Sequence, residues 1–293
     1  MTTNARLRAL VELADTGSVR GAAERLVVTE SAISSALGSL SAEVGVPLVD
    51  RHGRGVRLTP AGERYVAYAR RILGLHHEAV LAARDEVDPE NGSIRLAAVT
   101  TAGEILIPAL LASFTAKYPG VDCKLEVASR NAIWPMLTNH EADVVVAGRP
   151  PTDLGDVQVR AKSPNTLVVV GSPEAAQRFD PAHVTWLLRE KGSGTRATMI
   201  ALLDELDTDP PTMVLGSHGA VVAAAAAGLG VTLVSRQAVH RELSAGALVE
   251  IGVPGTPLDR PWHLVTQKPC TGAAELFITH LLAHRELGWR KAA

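Results

Sequence analysis

The chain has 293 residues, of which 46% are hydrophobic and 20% are charged, and its formal net charge is -2. This length exceeds that of most single cores, so we expect more than one domain, and the charge excludes a generally basic nucleic-acid-binding protein while leaving room for a local basic patch. The two cysteines, Cys123 and Cys270, argue against a disulfide scaffold or a zinc finger, and the lack of a signal-like start or of an apolar run of about 20 residues predicts a cytoplasmic protein with no membrane partner.

The N-terminal segment predicts three short helices. Gly17 ends the first helix, and Ser18 can cap a second helix over about 19–26. Thr29 can cap a third helix that runs from Glu30 to about Ser41. The apolar residues of the first helix recur at helical spacing: Leu7, Leu10, Val11 and Ala14. The expected buried stripe of the third helix is Ala32, Ile33, Ala36, Leu37 and Leu40.

The opposite face of the third helix is small and polar. It carries Glu30, Ser31, Ser34, Ser35 and Gly38. Serine hydroxyls can bond either base edges or phosphates, so this face suits contact with a DNA groove. Any three-helix bundle also has a polar outer face, however, and the spacing alone leaves a helix-turn-helix and an ordinary bundle open.

The next segment of the chain favours the helix-turn-helix. Arg51, Arg54 and Arg57 are separated by Gly53 and Gly55, a pattern that predicts a β-hairpin with cations at its tip. Between position 51 and position 71 the chain holds six arginines and one acidic residue. Positive charge clustered in this way attracts DNA phosphates, so we predict a helix-turn-helix over about 19–38 and then a basic wing.

Residues 4 to about 90 resemble the winged helix-turn-helix and linker helix of LysR-type transcriptional regulators. The runs that match in family order and spacing are Ala22-Ala23, Val28-Thr29, Ala32-Ile33-Ser34, Gly45-Val46-Pro47-Leu48, Asp50-Arg51 and Arg57-Leu58-Thr59-Pro60-Ala61-Gly62. The resemblance implies binding of double-stranded promoter DNA through Thr29, Glu30, Ser31, Ser34, Ser35, Arg51, Arg54 and Arg57. Glu30 stands where the family usually has Gln, and Ser35 and Gly38 where it usually has Arg or Lys. A carboxylate repels phosphate but can accept from cytosine, which predicts an unusual target sequence or weaker non-specific binding.

Residues 60 to about 88 predict one long helix, which starts at Pro60 and stops near Asp88-Pro89. Its apolar positions cover more than one stripe, so one side should pack on its own domain and another on the same helix of a second subunit. We therefore expect a homodimer or homotetramer. The adjacent His76 and His77 do not share a helix face, and no metal site is expected there.

From Ser93 onward, strand and helix signals alternate, which predicts parallel βαβ units. Strands are expected at 94–99, 121–127, 143–147, 166–170, 213–215, 231–234 and 262–265. The chain should cross to a second lobe near Ala161 to Asn165 and return near Gln267 to Thr271. Two lobes with two crossovers resemble the effector domain of LysR-type regulators, which is similar to a type II periplasmic binding protein.

The segment from Arg189 to Arg196 predicts an anion site. Its glycines, Gly192 and Gly194, free backbone amides at a helix start, and Ser193 and Thr195 add hydroxyls. Three cations add charge: Arg189, Lys191 and Arg196. The segment matches neither a Walker P-loop nor a Rossmann turn, and it resembles the Arg-x-x-Gly-Ser-Gly-Thr-Arg segment of LysR-type members that sense anionic metabolites.

Other strand ends should meet the same cleft, because ligands of open α/β sheets bind beyond the carboxyl ends of strands. Ser129 and Arg130 follow the second strand of this region, and Ser217 and His218 follow a later one. Each residue could instead be a cap or a solvated loop residue, and His218 could be only a first-turn residue. The predicted effector contacts are Thr100, Thr101, Ser129, Arg149, Gly192, Ser193, Gly194, Thr195, Arg196, Ser217 and His218.

We therefore expect a multi-domain chain: an all-α winged helix-turn-helix domain over 1–60, a linker and dimerisation helix over 61–90, and a two-lobed α/β effector-binding domain over 91–293. Lobe I would comprise 91–163 and 268–293, and lobe II 164–267. The expected function is ligand-responsive transcriptional regulation, with a small, anionic effector, no cofactor, no metal and RNA polymerase as a candidate partner. An enzyme is not expected, since no catalytic motif is found. An architectural DNA-binding protein without ligand sensing and a solute-binding protein are the alternatives.

Overall fold

The computed structural model describes residues 3–52, 55–85, 88–284 and 288–292. Backbone contacts divide the chain into two compact units. The first comprises Met1–Ala83 and Thr138–Glu141, and the second comprises Arg84–Leu137 and Ala142–Ala293. Within the described residues, no helix combines the length and apolarity that a membrane crossing needs.

The first unit begins with three helices, α1 (Asn4–Thr16), α2 (Val19–Leu26) and α3 (Glu30–Val44). The predicted caps are confirmed: Ser18 accepts from the amide of Gly21 and Thr29 from that of Ala32. The helices bury a common core that includes Leu10, Ile33, Leu37 and Leu40. Ala32 was expected in this core but is exposed. The buried face of α3 is formed by Ile33, Leu37 and Leu40, and at the 3.6-residue helical period Ala32 lies to one side of it.

The turn between α2 and α3 contains an unusual backbone conformation. Val27 has φ 54° and ψ 49°, in the left-handed region, and its amide bonds the carbonyls of Ala23 and Glu24. Its side chain is 90% exposed. A β-branched residue rarely adopts this conformation, so the turn holds strain that packing of the Val27 side chain does not offset.

A β-hairpin and a long helix complete the first unit. Strands β1 (Val49–His52) and β2 (Gly55–Leu58) pair antiparallel, as predicted for the wing, and the tip between them lies outside the described residues. Helix α4 spans Pro60–Asp85, which is close to the predicted 60–88. Tyr68, Ile72 and Leu75 are 63%, 49% and 54% exposed and recur at the i, i+4, i+7 spacing of one helix face. We call these three residues the α4 stripe.

The second unit contains a six-stranded sheet. In chain order its strands are β3 (Ser93–Val99), β4 (Asp122–Ala128), β5 (Val144–Ala147), β6 (Val157–Ser163), β13 (Trp262–Gln267) and β14 (Arg290–Lys291). Their spatial order is β14-β6-β13-β5-β3-β4. Strands β3, β4 and β5 are parallel, as predicted, whereas β13 runs antiparallel to β5 and β6.

Helices cover both faces of this sheet. They are α5 (Thr100–Ile105), α6 (Ile107–Lys117), α7 (Arg130–Thr138) and α12 (Gly272–Ala283). Phe114 of α6 and Phe277 of α12 pack edge to face with their ring centroids 5.2 Å apart. Ile133 and Leu137 of α7 are buried on the other face. The helical segment after β3 is interrupted at Leu106, where α5 ends and α6 begins before Pro108.

The second set of strands departs from the parallel pattern that the sequence predicts. Central strand β7 (Thr166–Gly171) pairs antiparallel with β10 (Thr232–Ser235), β11 (Val249–Ile251) and β12 (Leu258–Asp259). Strands β8 (Trp186–Leu188) and β9 (Thr212–Val214) form a short parallel pair. The helices here are α8 (Pro173–Gln177), α9 (Gly194–Glu205), α10 (His218–Ala226) and α11 (His240–Ser244).

Strand pairing corrects one expected crossover. The chain passes from β6 to β7 between Ser163 and Thr166, where the first crossover was predicted. The return was expected near Gln267 to Thr271, but β13 already lies in the six-stranded sheet, so the chain returns between Asp259 and Trp262. Strand β13 is buried on both faces, so its sequence does not show which sheet it joins.

Candidate functional site

A cavity of about 70 Å³ opens in the second unit, where both sheets present strand ends. Thr100 and Thr101 follow β3, Ser129 follows β4, and Gly148 follows β5. Asn165 and Trp262, on the two crossovers, close another side. Since one buried water needs roughly 10–15 Å³ in this measure, the cavity suits a small ligand that displaces a few waters.

The glycine-rich segment brings the start of α9 to this cavity. Ser193, Gly194 and Thr195 line it, and the Ser193 hydroxyl accepts from the amide of Arg196 at 3.3 Å. Gly192 has φ 87° and lies against Ser129, so the tight turn that presents the helix start needs glycine there. The first amides of a helix carry partial positive charge, which makes this end of the cavity attractive to an anion.

Three arginines line the cavity, and they are not equivalent. Arg189 is 4% exposed, and its Nε and Nη2 both donate to the carboxylate of Glu190 at 2.7 Å. Its charge is therefore largely offset. Arg130 donates from Nη2 to the carbonyl of Arg149 at 2.8 Å. Burial lowers the pKa of Arg130, and the positive charge of Arg260 lowers it further, so Arg130 and Arg260 place two like charges in one region.

Arg260 is positioned by buried polar side chains. The Ser235 hydroxyl donates to Asn165 Oδ1 at 2.7 Å, and Asn165 Nδ2 donates to the carbonyl of Arg260 at 2.9 Å. Ser235 and Asn165 are 4% and 5% exposed. Ser235 is the last residue of β10, Asn165 lies on the crossover after β6, and Arg260 lies on the crossover after β12. The hydrogen bonds therefore hold both crossovers at the cavity.

Six of the predicted effector contacts lie at this cavity: Thr100, Thr101, Ser129, Ser193, Gly194 and Thr195. Five others do not line it. Gly192 forms the turn behind Ser129, and the carbonyl of Arg149 serves as an acceptor for Arg130. Arg196 Nη1 is directed to the carbonyl of Arg189 at 2.9 Å, Ser217 caps α10, and His218 is buried at the start of that helix.

His218 nevertheless lies close to the charged groups of the cavity. Burial lowers its pKa, and the charge of Arg189 lowers it further. Glu104 of α5, Glu242 of α11 and the backbone of Ala238 act in the opposite direction. His218 is therefore held neutral next to an arginine that lines the cavity.

Several cavity residues were not among the predicted effector contacts, although Arg189 was expected to add positive charge to the anion site. They are Arg130, Asn165, Leu167, Arg189, Glu190, Thr198, Ser235, Arg260 and Trp262. Arg130 directly follows Ser129 at a strand end, and that position was a usable signal. Asn165 and Arg260 carry no comparable signal, because they lie 95 residues apart in the chain and come into contact only in the folded structure.

In the first unit, the predicted polar face of α3 is exposed. Glu30, Ser31, Ser34 and Ser35 all face solvent, and the Thr29 hydroxyl lies 2.9 Å from that of Ser31. Arg57 is also exposed on β2. The predicted contacts Arg51 and Arg54 cannot be placed in this surface: Arg54 and the side chain of Arg51 lie outside the described residues.

Arg20 of α2 is a cation near this face that the sequence did not indicate. It donates to Glu24 at 2.9 Å, and this bond raises its pKa, with a further contribution from the charge of Glu30. Glu30 therefore lies within electrostatic reach of Arg20. Among the residues that the structure describes, no group of three or more His, Cys, Asp or Glu side chains is arranged to hold a metal ion.

Two family models match the chain. "Bacterial regulatory helix-turn-helix protein, lysR family" matches residues 5–63, and "LysR substrate binding domain" matches residues 88–286. The chain is 35% identical over 275 residues to the HTH-type transcriptional regulator CbbR of Rhodospirillum rubrum, and the matched region covers 91% of each protein.

Two solved structures are also similar. Full-length CbnR in complex with its target DNA gives a TM-score of 0.66 at 20% identity, covering 96% of this chain and 99% of CbnR. The regulatory domain of Synechocystis CcmR in complex with 2-PG gives a TM-score of 0.59 at 27% identity, covering 65% of this chain and 96% of that domain.

Proposed function

The chain belongs to the LysR family of bacterial transcriptional regulators, and we propose that it adjusts transcription in response to a small anionic metabolite bound in the cavity of its second unit. The family binds DNA through its helix-turn-helix domain and is oligomeric. What is particular to this chain is the set of residues that hold the effector and touch DNA.

The observation that carries the effector class is the pair of arginines at the cavity. Arg130 and Arg260 repel one another, and in the part of the chain described by the structure neither takes part in an ion pair that we find. Two positive charges held together without an acidic partner favour an incoming anion, which removes their repulsion. The start of α9 and the hydroxyls of Thr100 and Thr101 supply further donors on the same cavity.

The effector contacts that we propose are therefore Arg130, Arg260, Thr100, Thr101, Ser129, Ser193, Gly194 and Thr195. CcmR, which is solved with 2-PG, makes 2-PG the first ligand to test. For DNA, we propose that Ser31, Ser34 and Ser35 of α3 contact base edges, and that Arg57 and Arg20 contact phosphates. Ligand binding would alter how paired copies engage a promoter and RNA polymerase.

Calorimetry on the full chain tests the effector class. The titrants are 2-PG, sulfate, phosphate and small carboxylates, and the variants are Arg130→Gln and Arg260→Gln. Since a hydrogen bond to a charged group contributes about 1.5–3 kcal/mol, each variant should weaken the best anion at least tenfold. Arg178→Gln, an exposed arginine that does not line the cavity, makes the same change in charge and should leave affinity within twofold.

The proposal fails if none of these anions binds the wild-type chain. It also fails if Arg178→Gln weakens binding as much as Arg130→Gln, because the effect would then come from net charge. Affinity for promoter DNA without effector should be the same in all three variants, which separates loss of sensing from loss of folding.

A further inference from the structure

A row of basic side chains, three of them charged and one a neutral histidine, crosses the six-stranded sheet close to the cavity edge. Arg290 of β14 is paired with Lys162 of β6, and Lys162 is paired with His263 of β13. Directly paired residues of antiparallel strands point to the same face, so the three side chains stand side by side. His263 is in turn paired with Ala147, and Arg149 lies two residues beyond Ala147. We call Arg149, Lys162, His263 and Arg290 the cationic row.

Like charges in directly opposed positions destabilise a sheet. Lys162 and Arg290 are in this arrangement and both are exposed. Within the described ranges, we find no ion pair that includes Arg149, Lys162 or Arg290. Arg160, two residues before Lys162, shows the contrast: it donates to both carboxylate oxygens of Glu275 at 2.7 Å. The cationic row thus lacks the compensation that its neighbour on the same strand has.

His263 is built into this row and is not a loose surface group. Its side chain is 6% exposed, and Nδ1 lies 3.0 Å from the carbonyl of Pro261. A carbonyl can only accept, so Nδ1 carries the proton and Nε2 is the nitrogen left for another partner. Burial lowers the pKa of His263, and the charges of Lys162 and Arg149 lower it further, so the ring is neutral with both cations close to it.

We propose that the cationic row binds the linked phosphates of a second ligand, a diphosphate or triphosphate, at a site separate from the effector cavity. None of its four residues lines that cavity, although Gly148 and Trp262, their chain neighbours, do. Neighbouring strands are about 4.8 Å apart, so the three strands that carry Arg290, Lys162 and His263 span roughly 10 Å. One phosphate meets only part of such a row, whereas linked phosphates extend along it, and their charge offsets the repulsion within it.

Calorimetry with inorganic tripolyphosphate, pyrophosphate and orthophosphate tests this site on the full chain. Tripolyphosphate should bind most tightly and orthophosphate least. Lys162→Gln and Arg290→Gln should each weaken tripolyphosphate at least fivefold. Lys291→Gln is the matched control: Lys291 is exposed and adjacent to Arg290, but it is paired with Ala161 and faces the other side of the sheet. Its affinity should stay within twofold of wild type.

Two further arms separate the alternatives. Arg260→Gln, which removes a charge from the effector cavity, should leave tripolyphosphate affinity within twofold, and a larger decrease would assign the ligand to the cavity and overturn the proposal. Lys162→Gln should not change affinity for random duplex DNA, and a reduced affinity would make the row a DNA-binding surface instead. ATP is titrated in parallel with tripolyphosphate. If the natural ligand is a nucleotide, ATP should bind more tightly than the bare phosphates, and if the ligand is an inorganic phosphate, it should not. Absence of binding to wild type, or equal weakening by Lys291→Gln, would also overturn the proposal.

Discussion

Replacement of Val27 should stabilise the DNA-binding unit, although the residue is apolar and belongs to the helix-turn-helix. At φ 54° and ψ 49°, Val27 adopts the left-handed conformation, in which a residue with a Cβ is strained by about 1–2 kcal/mol. Asparagine adopts this conformation at much lower energy, because its short polar side chain can bond locally. Val27→Asn should recover about 1 kcal/mol of this strain.

The burial free energy that is lost with the Val27 side chain is small. Full burial of a valine contributes about 1.5–3 kcal/mol, but Val27 is 90% exposed, so removal of its side chain forfeits only about 0.2–0.3 kcal/mol. Val27→Gly relieves the strain as well, yet glycine loses about 0.5–1 kcal/mol in added freedom of the unfolded chain. We therefore expect Val27→Asn to be the more stable of the two variants, and both to be at least as stable as wild type.

Hydrogen exchange of backbone amides in α2 and α3 is the appropriate assay, because unfolding of a chain with two units is not a single transition. The net gain, about 0.7–0.8 kcal/mol once the lost side-chain burial is subtracted, should slow exchange of the most protected amides about three- to fourfold, since about 1.4 kcal/mol corresponds to tenfold. Val28→Asn is the control: Val28 is 47% exposed and is not among the residues with positive φ. Faster exchange in Val27→Asn than in wild type, or equal slowing in Val28→Asn, would refute the reasoning.

Three other substitutions probe the two units. Glu30→Gln should raise affinity for random duplex DNA by on the order of 1 kcal/mol, moderated by the nearby charge of Arg20, and unchanged anisotropy titrations at low salt would contradict this. Ser34→Ala should alter preference among selected duplexes and leave the salt dependence of binding unchanged, whereas a lower salt slope would indicate a phosphate contact. The folded pKa of His218 is lowered by burial and by Arg189, so the unfolded chain binds the proton more readily, and stability should fall as pH drops below about 6.5. Melting temperatures of wild type and His218→Asn at two pH values check this, and equal pH dependence in both would count against it.

Local chemistry made the first unit predictable. Ser18 and Thr29 cap helices because each hydroxyl accepts from an amide only three residues further along the chain, and the hairpin pairs two segments, Val49–His52 and Gly55–Leu58, that are close in sequence. Pairing of β7 with β10, β11 and β12 depends on segments far apart in the chain, and a run of valines does not show which strand lies beside it.

The candidate cavity of the second unit was predictable in part for the same reason. Ser129 and Thr195 follow strands or begin helices, positions that the sequence shows, whereas Arg260 lies in the crossover between β12 and β13. Arg189 was expected to attract an anion, yet its guanidinium is directed to Glu190, the next residue. The sequence contains both residues but not the rotamers that join them.

The exposed α4 stripe bears on the genetics of this protein. If copies associate through Tyr68, Ile72 and Leu75, chains of two alleles expressed in one cell will form mixed assemblies. An allele damaged only on the exposed polar face of α3, for which we propose DNA contact, still enters these assemblies and disables normal partners, so it should be dominant. An allele that replaces Ile72 with a charged residue excludes its own product from assembly, leaves the normal chains to pair with one another, and should be recessive.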